Sequence, residues 1–139
     1  MNDRQRLVFD ANTLVSAALS KGSTPDRALR LALSSGQLLF SSESIAELRD
    51  VLARPKFDRY LTRQERDLFL TRLIQRGTLV EVVERVQVCR DPEDDKYLAL
   101  AADGQAAGII SGDNDLLALK SFRGIPILSP ADFVAPKSR

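Results

Sequence analysis

The stretch Leu7-Val8-Phe9-Asp10-Ala11-Asn12-Thr13, residues 7–13, decides how the rest of the chain is read. Its opening is apolar, rich in β-branched and aromatic side chains and too short for a helix, so residues 6–9 read as a buried strand. The run ends on a carboxylate, and an amide side chain follows two residues later. An acid leaving a buried strand is costly unless water, hydrogen bonds or a metal ion take up its charge. Capping the next helix is its simplest use. Asn12 already offers that chemistry, which leaves Asp10 free for function.

Outward from this strand the chain alternates helix and strand. Residues 13–19 read as a short helix stopped by Lys21-Gly22. Thr24-Pro25 opens a second helix, with Thr24 as N-cap, and Gly36 closes it. Leu38-Leu39-Phe40 is the next strand. Residues 41–54 are helical on the Ile45/Leu48/Leu52 stripe, and Pro55 ends them. Thr62-Arg63-Gln64-Glu65 is a capping box opening a helix to Arg76, with Leu68, Phe69 and Leu73 inward and Gly77 as stop. Residues 79–88 are strand-like, interrupted at Glu84-Arg85. Asp91-Pro92 starts a helix that runs to Gly104. Ile109-Ile110 is a buried strand, residues 114–120 a short helix, residues 125–128 the last strand, and Ser129-Pro130 opens a final helical turn. Pro126 marks the last strand as an edge. This alternation predicts an α/β fold with a mostly parallel sheet of four to five strands, in one domain over residues 1–139 with a polar tail from about 136. Ligands of such sheets bind beyond the C-terminal strand ends, where Asp10 and Asp113 sit.

Composition narrows the chemistry. At 139 residues, 44% hydrophobic and 28% charged, the chain can bury a real core. It has no histidine and one cysteine, Cys89. Histidine-based nucleophilic catalysis, His-rich zinc sites and paired-histidine RNA cleavage are thereby excluded. Hydrolysis has to rest on carboxylates, lysines or a metal held by oxygen. Cys89 reads as a small apolar strand residue. The lone cysteine, the short apolar runs and the lack of a signal-peptide pattern point to a cytoplasmic protein with no membrane association. The net charge of +1 leaves nucleic-acid binding to the distribution of charge. One basic segment stands out: Arg54, Lys56, Arg59 and Arg63 with Phe57 and Tyr60 between them. It is a candidate RNA-binding surface, because arginines hold phosphates and aromatics stack on bases. It serves equally well as a solvated helical connector or as a docking site for a partner chain.

Three further segments carry acids at element ends or on helices. Glu47 is either the last member of a Ser44-Ile45-Ala46-Glu47 capping box or, with a helix start nearer Ser41 or Ser42, an interior residue beside the apolar stripe; Glu43 competes with it one turn earlier. Asp91-Pro92-Glu93-Asp94-Asp95 packs four acids into five residues. Asp91 is explained as an N-cap. Asp94 shares a helical face with Tyr97, Leu98 and Ala101, and Asp95 one with Leu98, Ala99 and Ala102. Both suit a helix first turn, but four acids exceed what capping needs. Asp94 is the first choice for chemistry and Asp95 the second. Asp113 follows Ile109-Ile110-Ser111-Gly112 at another strand exit, with Asp115 in the first turn beyond it.

The segments VFDANTLVSAAL, SIAELRDVLARPKF, CRDPEDDKYLALAA and IISGDNDLLAL, in this order and spread over residues 8–119, resemble the PIN domain family. The resemblance is to the branch of VapC-like toxins of type II toxin–antitoxin systems. It implies a three-layer α/β/α sandwich and a Mg²⁺- or Mn²⁺-dependent endoribonuclease whose products carry 5′-phosphate and 3′-hydroxyl ends. Its acidic set becomes Asp10, Glu47, Asp94 and Asp113, with Asn12 and Ser111 as hydrogen-bonding support and Asp115 as an auxiliary acid. It favours Asp94 over Asp95, because asparagine often stands at the latter position. It also implies an RNA substrate, an antitoxin protein and a homodimer. Two other readings stay open. Asp10 could be the nucleophile of a phosphohydrolase resembling haloacid dehalogenases, although that family has a second acid where Asn12 stands. The chain could also be a non-catalytic module that binds RNA or a partner.

Overall fold

A computed structural model of the chain describes residues 5–136. The four residues before and the three after, including the end of the expected polar tail, lie outside the described part. Strands β1 (Gln5–Phe9), β2 (Gly36–Phe40), β3 (Thr78–Leu79), β4 (Gly108–Ile110), β5 (Ser121–Phe122) and β6 (Ile125–Leu128) form one sheet in the order β3-β2-β1-β4-β6-β5. Every neighbouring pair is parallel except β5 with β6.

Helices cover both faces, because strand side chains alternate. Leu7 and Phe9 of β1, Leu38 and Phe40 of β2 and Ile110 of β4 point to one face. There they pack with helices α1 (Ala11–Leu19), α2 (Thr24–Ser35), α3 (Ser42–Leu52) and α4 (Arg63–Arg76). Short α7 (Pro130–Val134) closes this side, its Phe133 ring edge-on to Phe9. Val8, Leu39 and Ile109 point the other way, onto α5 (Asp95–Gly104) and α6 (Asn114–Leu119). The result is the expected three-layer α/β/α sandwich with a mostly parallel sheet, but with six strands rather than four to five, because the two-residue strands β3 and β5 extend it at both edges.

Strand order places the site. From central β1 the chain moves outward through β2 and β3, then returns to lay β4 on the opposite side of β1. The order therefore reverses between β1 and β4, and a crevice opens beyond their C-terminal ends at such a switch point. Asp10 follows β1, and Ser111 to Asp113 follow β4.

Several local expectations are corrected. Residues 80–89 form no strand beyond the two residues of β3. They run as a strap over α5, and side chains replace the missing ladder: Asp103 Oδ2 accepts from the Val83 and Glu84 amides, and Asp95 Oδ1 from those of Val88 and Cys89. Pro126 does not lie at the edge, since β5 pairs outside β6. The cap of α2 is Ser23 rather than Thr24. Gly36 is extended rather than left-handed and belongs to β2; a Cβ there would sit 2.8 Å from the Gln5 carbonyl oxygen. On α4, Leu70 and Leu73 face inward while Leu68 is 49% exposed. No helix among the described residues is long and apolar enough to cross a membrane.

Candidate metal centre

Asp10 is buried and holds two jobs at once. Its Oδ1 caps α1 by accepting from the Thr13 amide at 3.0 Å. Its Oδ2 accepts from the Ser111 hydroxyl at 2.6 Å. The Ser111 oxygen in turn accepts from the Asp113 amide at 2.9 Å, so one fully buried hydroxyl ties the exits of β1 and β4 together. Thr13 adds a second tie, its Oγ1 accepting from the Gly112 amide. Burial pushes the Asp10 carboxyl above its ordinary value; the Ser111 and Thr13 hydrogen bonds pull it down, and the charge of Asp113 pushes it up again.

Asp113 caps α6, its Oδ1 accepting from the amides of Asp115 and Leu116. Asp94 ends the 3₁₀ turn Pro92–Asp94 that leads into α5, after Asp91 has capped that turn. One carboxylate oxygen from each of Asp94, Asp113 and Asp115 lies within 4.8 Å of the other two. Among the described residues Asp94 Oδ2 is a buried side-chain oxygen with no hydrogen-bond partner. Its carboxyl is pushed up to about 7, first by burial and then by the charges of Asp113, Asp91, Asp10 and Glu47. Asp94 thus feels the three other members of the main acidic set, Asp10, Glu47 and Asp113.

Asp95 behaves oppositely. Burial pulls it upward, but the amides of Cys89 and Val88 outweigh that, and its carboxyl falls below the ordinary value. It secures the strap and belongs to a different face of α5 from Asp94, which separates the two residues the sequence left in competition.

Glu47 lies inside α3. The helix is capped by a Ser41/Ser44 box, so the capping-box explanation for Glu47 does not hold. Its Oε1 accepts from the Tyr97 hydroxyl, and its Oε2 from Lys96 Nζ at 3.3 Å. Glu43 is exposed, one turn further from these partners.

Asn12 is exposed on α1, and Asp10 is steadied by Thr13 and Ser111 instead. Thr13, Lys96 and Tyr97 escaped the sequence reading. Each acts through a partner between 49 and 99 residues away, which local patterning does not reveal. The basic residues Arg54, Lys56 and Arg59 are exposed between α3 and α4, and Arg63 is exposed at the first position of α4. That connector is folded by Arg66, which donates to the Leu52 and Leu61 carbonyls and to Asp58. No hydrogen bond joins the four basic residues to the acids among the described residues.

The donor set suits a hard divalent cation. It is all oxygen, in a chain with no histidine, and the carboxylates repel one another at neutral pH. The bare Asp94 oxygen and the three converging carboxylates are what a cation would satisfy. Asp94, Asp113 and Asp115 can hold it, with Asp10 and Glu47 alongside.

Known proteins agree with this architecture. An uncharacterized protein of Methanocaldococcus jannaschii, MJ1680, is 30% identical over 117 residues, covering 83% of this chain and 75% of that one. Three solved structures share the fold at low identity. A chain of VapBC2 from Rickettsia felis, bound to a DNA fragment from its promoter, matches with a TM-score of 0.60 at 10% identity over 89% of this chain and 98% of that one. PAE2754 from Pyrobaculum aerophilum matches at 0.61 and 14%, over 95% and 94%. VapC20 from Mycobacterium tuberculosis, described as a sarcin-ricin loop cleaving toxin, matches at 0.55 and 13%, over 86% and 98%. The PIN domain model matches residues 6–115, and the chain belongs to the PIN domain family.

Proposed function

We propose that the protein is a Mg²⁺- or Mn²⁺-dependent endoribonuclease, acting as the toxin of a toxin–antitoxin pair. The observation that carries this reading is the meeting of Asp94, Asp113 and Asp115 at the crevice beyond β1 and β4, with a buried Asp94 oxygen left bare. The likeness of the fold to VapC20, described as a sarcin-ricin loop cleaving toxin, and to a chain of VapBC2 supports the substrate and the role.

A divalent cation bound here would activate a water molecule and stabilise charge on the phosphoryl oxygens of the RNA. Asp94 Oδ2, Asp113 and Asp115 would hold it, while Asp10 supports the set through Ser111. Because Asp94 titrates near neutrality, cation and proton compete for its carboxylate, and binding releases a proton. Asp10 caps α1 and is hydrogen-bonded through both oxygens, which suits a fixed ligand or water acceptor better than a free nucleophile. The phosphohydrolase reading is the weaker for it.

Charge selects the side from which RNA approaches. A groove of about 570 Å³ is lined by the acids Glu43, Glu84, Glu93 and Asp95 against Arg85 and Lys96, a net negative lining that disfavours phosphates. On the other side α3 carries Glu47 and ends at Leu52, about 7.5 Å further along the helix axis. The basic connector starts there, and we assign it to the RNA backbone.

The test is direct. With Mn²⁺ the purified protein cleaves RNA and its expression arrests growth unless an antitoxin is supplied. Intact RNA, together with an Asp10→Asn variant unchanged in cation affinity and in toxicity, would overturn the reading.

A further inference from the structure

Lys96 is a cation inside the acidic site, and its surroundings limit what it can do. Its side chain is 12% exposed. The ammonium group has three hydrogens, and three acceptors surround it: the Glu93 carbonyl at 2.5 Å, Glu47 Oε2 at 3.3 Å and Glu93 Oε1 at 3.4 Å. No donor is left over for a phosphate. The stem keeps Nζ 5.5 Å from the centre of the Tyr97 ring, a cation–π contact that further fixes its place.

Tyr97 is equally committed. Its buried hydroxyl accepts from the Ala11 amide at 3.1 Å, so its one proton points to Glu47 Oε1. Through this atom the start of α1, next to Asp10, is tied to Glu47 on α3. Glu47 therefore has one oxygen on Tyr97 and the other on Lys96. Asp94, by contrast, has an oxygen with nothing on it.

We propose that Lys96 and Tyr97 are positioning residues that clamp Glu47 by its two oxygens, holding it as a charge-compensated acceptor beside the cation and outside the Asp94/Asp113/Asp115 set. This rests on the nuclease reading and extends it: the lysine acts through Glu47 and does not touch RNA. Glu47 keeps its place whether or not a cation is bound, and the lysine offsets one negative charge of a crowded cluster.

Lys96→Met and Tyr97→Phe test the clamp in the full-length protein, with thermal melting to show that each variant folds. For Lys96→Met the clamp predicts kcat for a single-stranded RNA lower by at least about tenfold and KM within about twofold. The salt dependence of RNA binding stays unchanged, because no phosphate contact is lost. Mn²⁺ affinity, read by electron paramagnetic resonance without RNA, tightens by about three- to tenfold, because a neighbouring positive charge has gone. General damage to the site would weaken it instead. Tyr97→Phe, which keeps the ring, lowers kcat with KM unchanged. A Lys96→Met protein with raised KM, a shallower salt slope and normal kcat would put the lysine on the RNA and overturn the clamp, as would unchanged or weaker Mn²⁺ binding. If the wild-type protein cleaves no RNA, the nuclease reading fails, and unchanged or weaker Mn²⁺ binding by Lys96→Met still overturns the clamp.

Discussion

Asp94 and Asp95 are neighbours in sequence, each 9% exposed, and they have opposite fates. Asp95 faces the strap, where the Val88 and Cys89 amides pull its carboxyl below the ordinary value. Asp94 faces the crevice, where burial and four other carboxylates push it to about 7 and one oxygen has no partner. Burial alone does not distinguish a structural acid from a functional one. What distinguishes them is whether the surroundings supply donors or further acids. The strap side of α5 is an acid satisfied by its fold; the crevice side is an acid that the fold leaves for something else.

Substitution at the two positions should separate these roles. Asp94→Asn is expected to cut cation-dependent RNA cleavage by at least about a hundredfold while the protein stays folded. Near-normal cleavage would erase the distinction. Asp95→Ala is expected to leave Mn²⁺ affinity within about twofold but to cost about 2 kcal/mol in urea unfolding, since two amides lose a charged acceptor. A variant that loses cation affinity instead would return Asp95 to the ligand set.

The pH dependence of stability sharpens the comparison, because the two shifts have opposite signs. Asp94 is raised on folding, so its contribution to the cation-free protein is complete below about pH 4 and is lost as pH rises towards about 7. Asp95 is lowered, so its contribution is present above about pH 4 and is lost as pH falls through its folded value. Without added cation, Asp94→Asn is expected to raise Tm at pH 8 by roughly 2–5 °C and to flatten the decline between about pH 4 and 7. A lower Tm at pH 8 would show that the acid is not strained there. The smallest effect is expected furthest from the cluster. Arg59→Ala should weaken RNA binding and reduce its salt slope by about one, leaving kcat unaltered. An unchanged slope would take the connector off the RNA.

The comparison also shows what the sequence could disclose. Asp10 and Asp113 were legible because a carboxylate after a short apolar run stands out, and the strand order makes those run ends neighbours. Helical face and the PIN resemblance both put Asp94 ahead of Asp95 but left the two in competition, because the donors that satisfy Asp95 come from the strap. Asp115 was read as an auxiliary, yet it offers a carboxylate oxygen within 4.8 Å of both Asp94 and Asp113. The strap misled because its alternating residues are those of a strand, while its amide partners are the side chains of Asp95 and Asp103, which no local pattern names. Lys96 and Tyr97 were hidden for a similar reason: each reads as an ordinary helix residue until α3 is packed beside α5. Asn12 shows the converse. Its spacing from Asp10 is suggestive, and the helix turns it to solvent.

The most direct test of the central claim is the rate of cleavage of a single-stranded RNA against Mn²⁺ concentration, for the wild type and Asp94→Asn side by side. The account predicts a rate that is zero in chelator, rises saturably with Mn²⁺ in the wild type, and is at least about a hundredfold lower in a folded Asp94→Asn protein. Equal cleavage in chelator, or an Asp94→Asn curve that overlays the wild type, would contradict it.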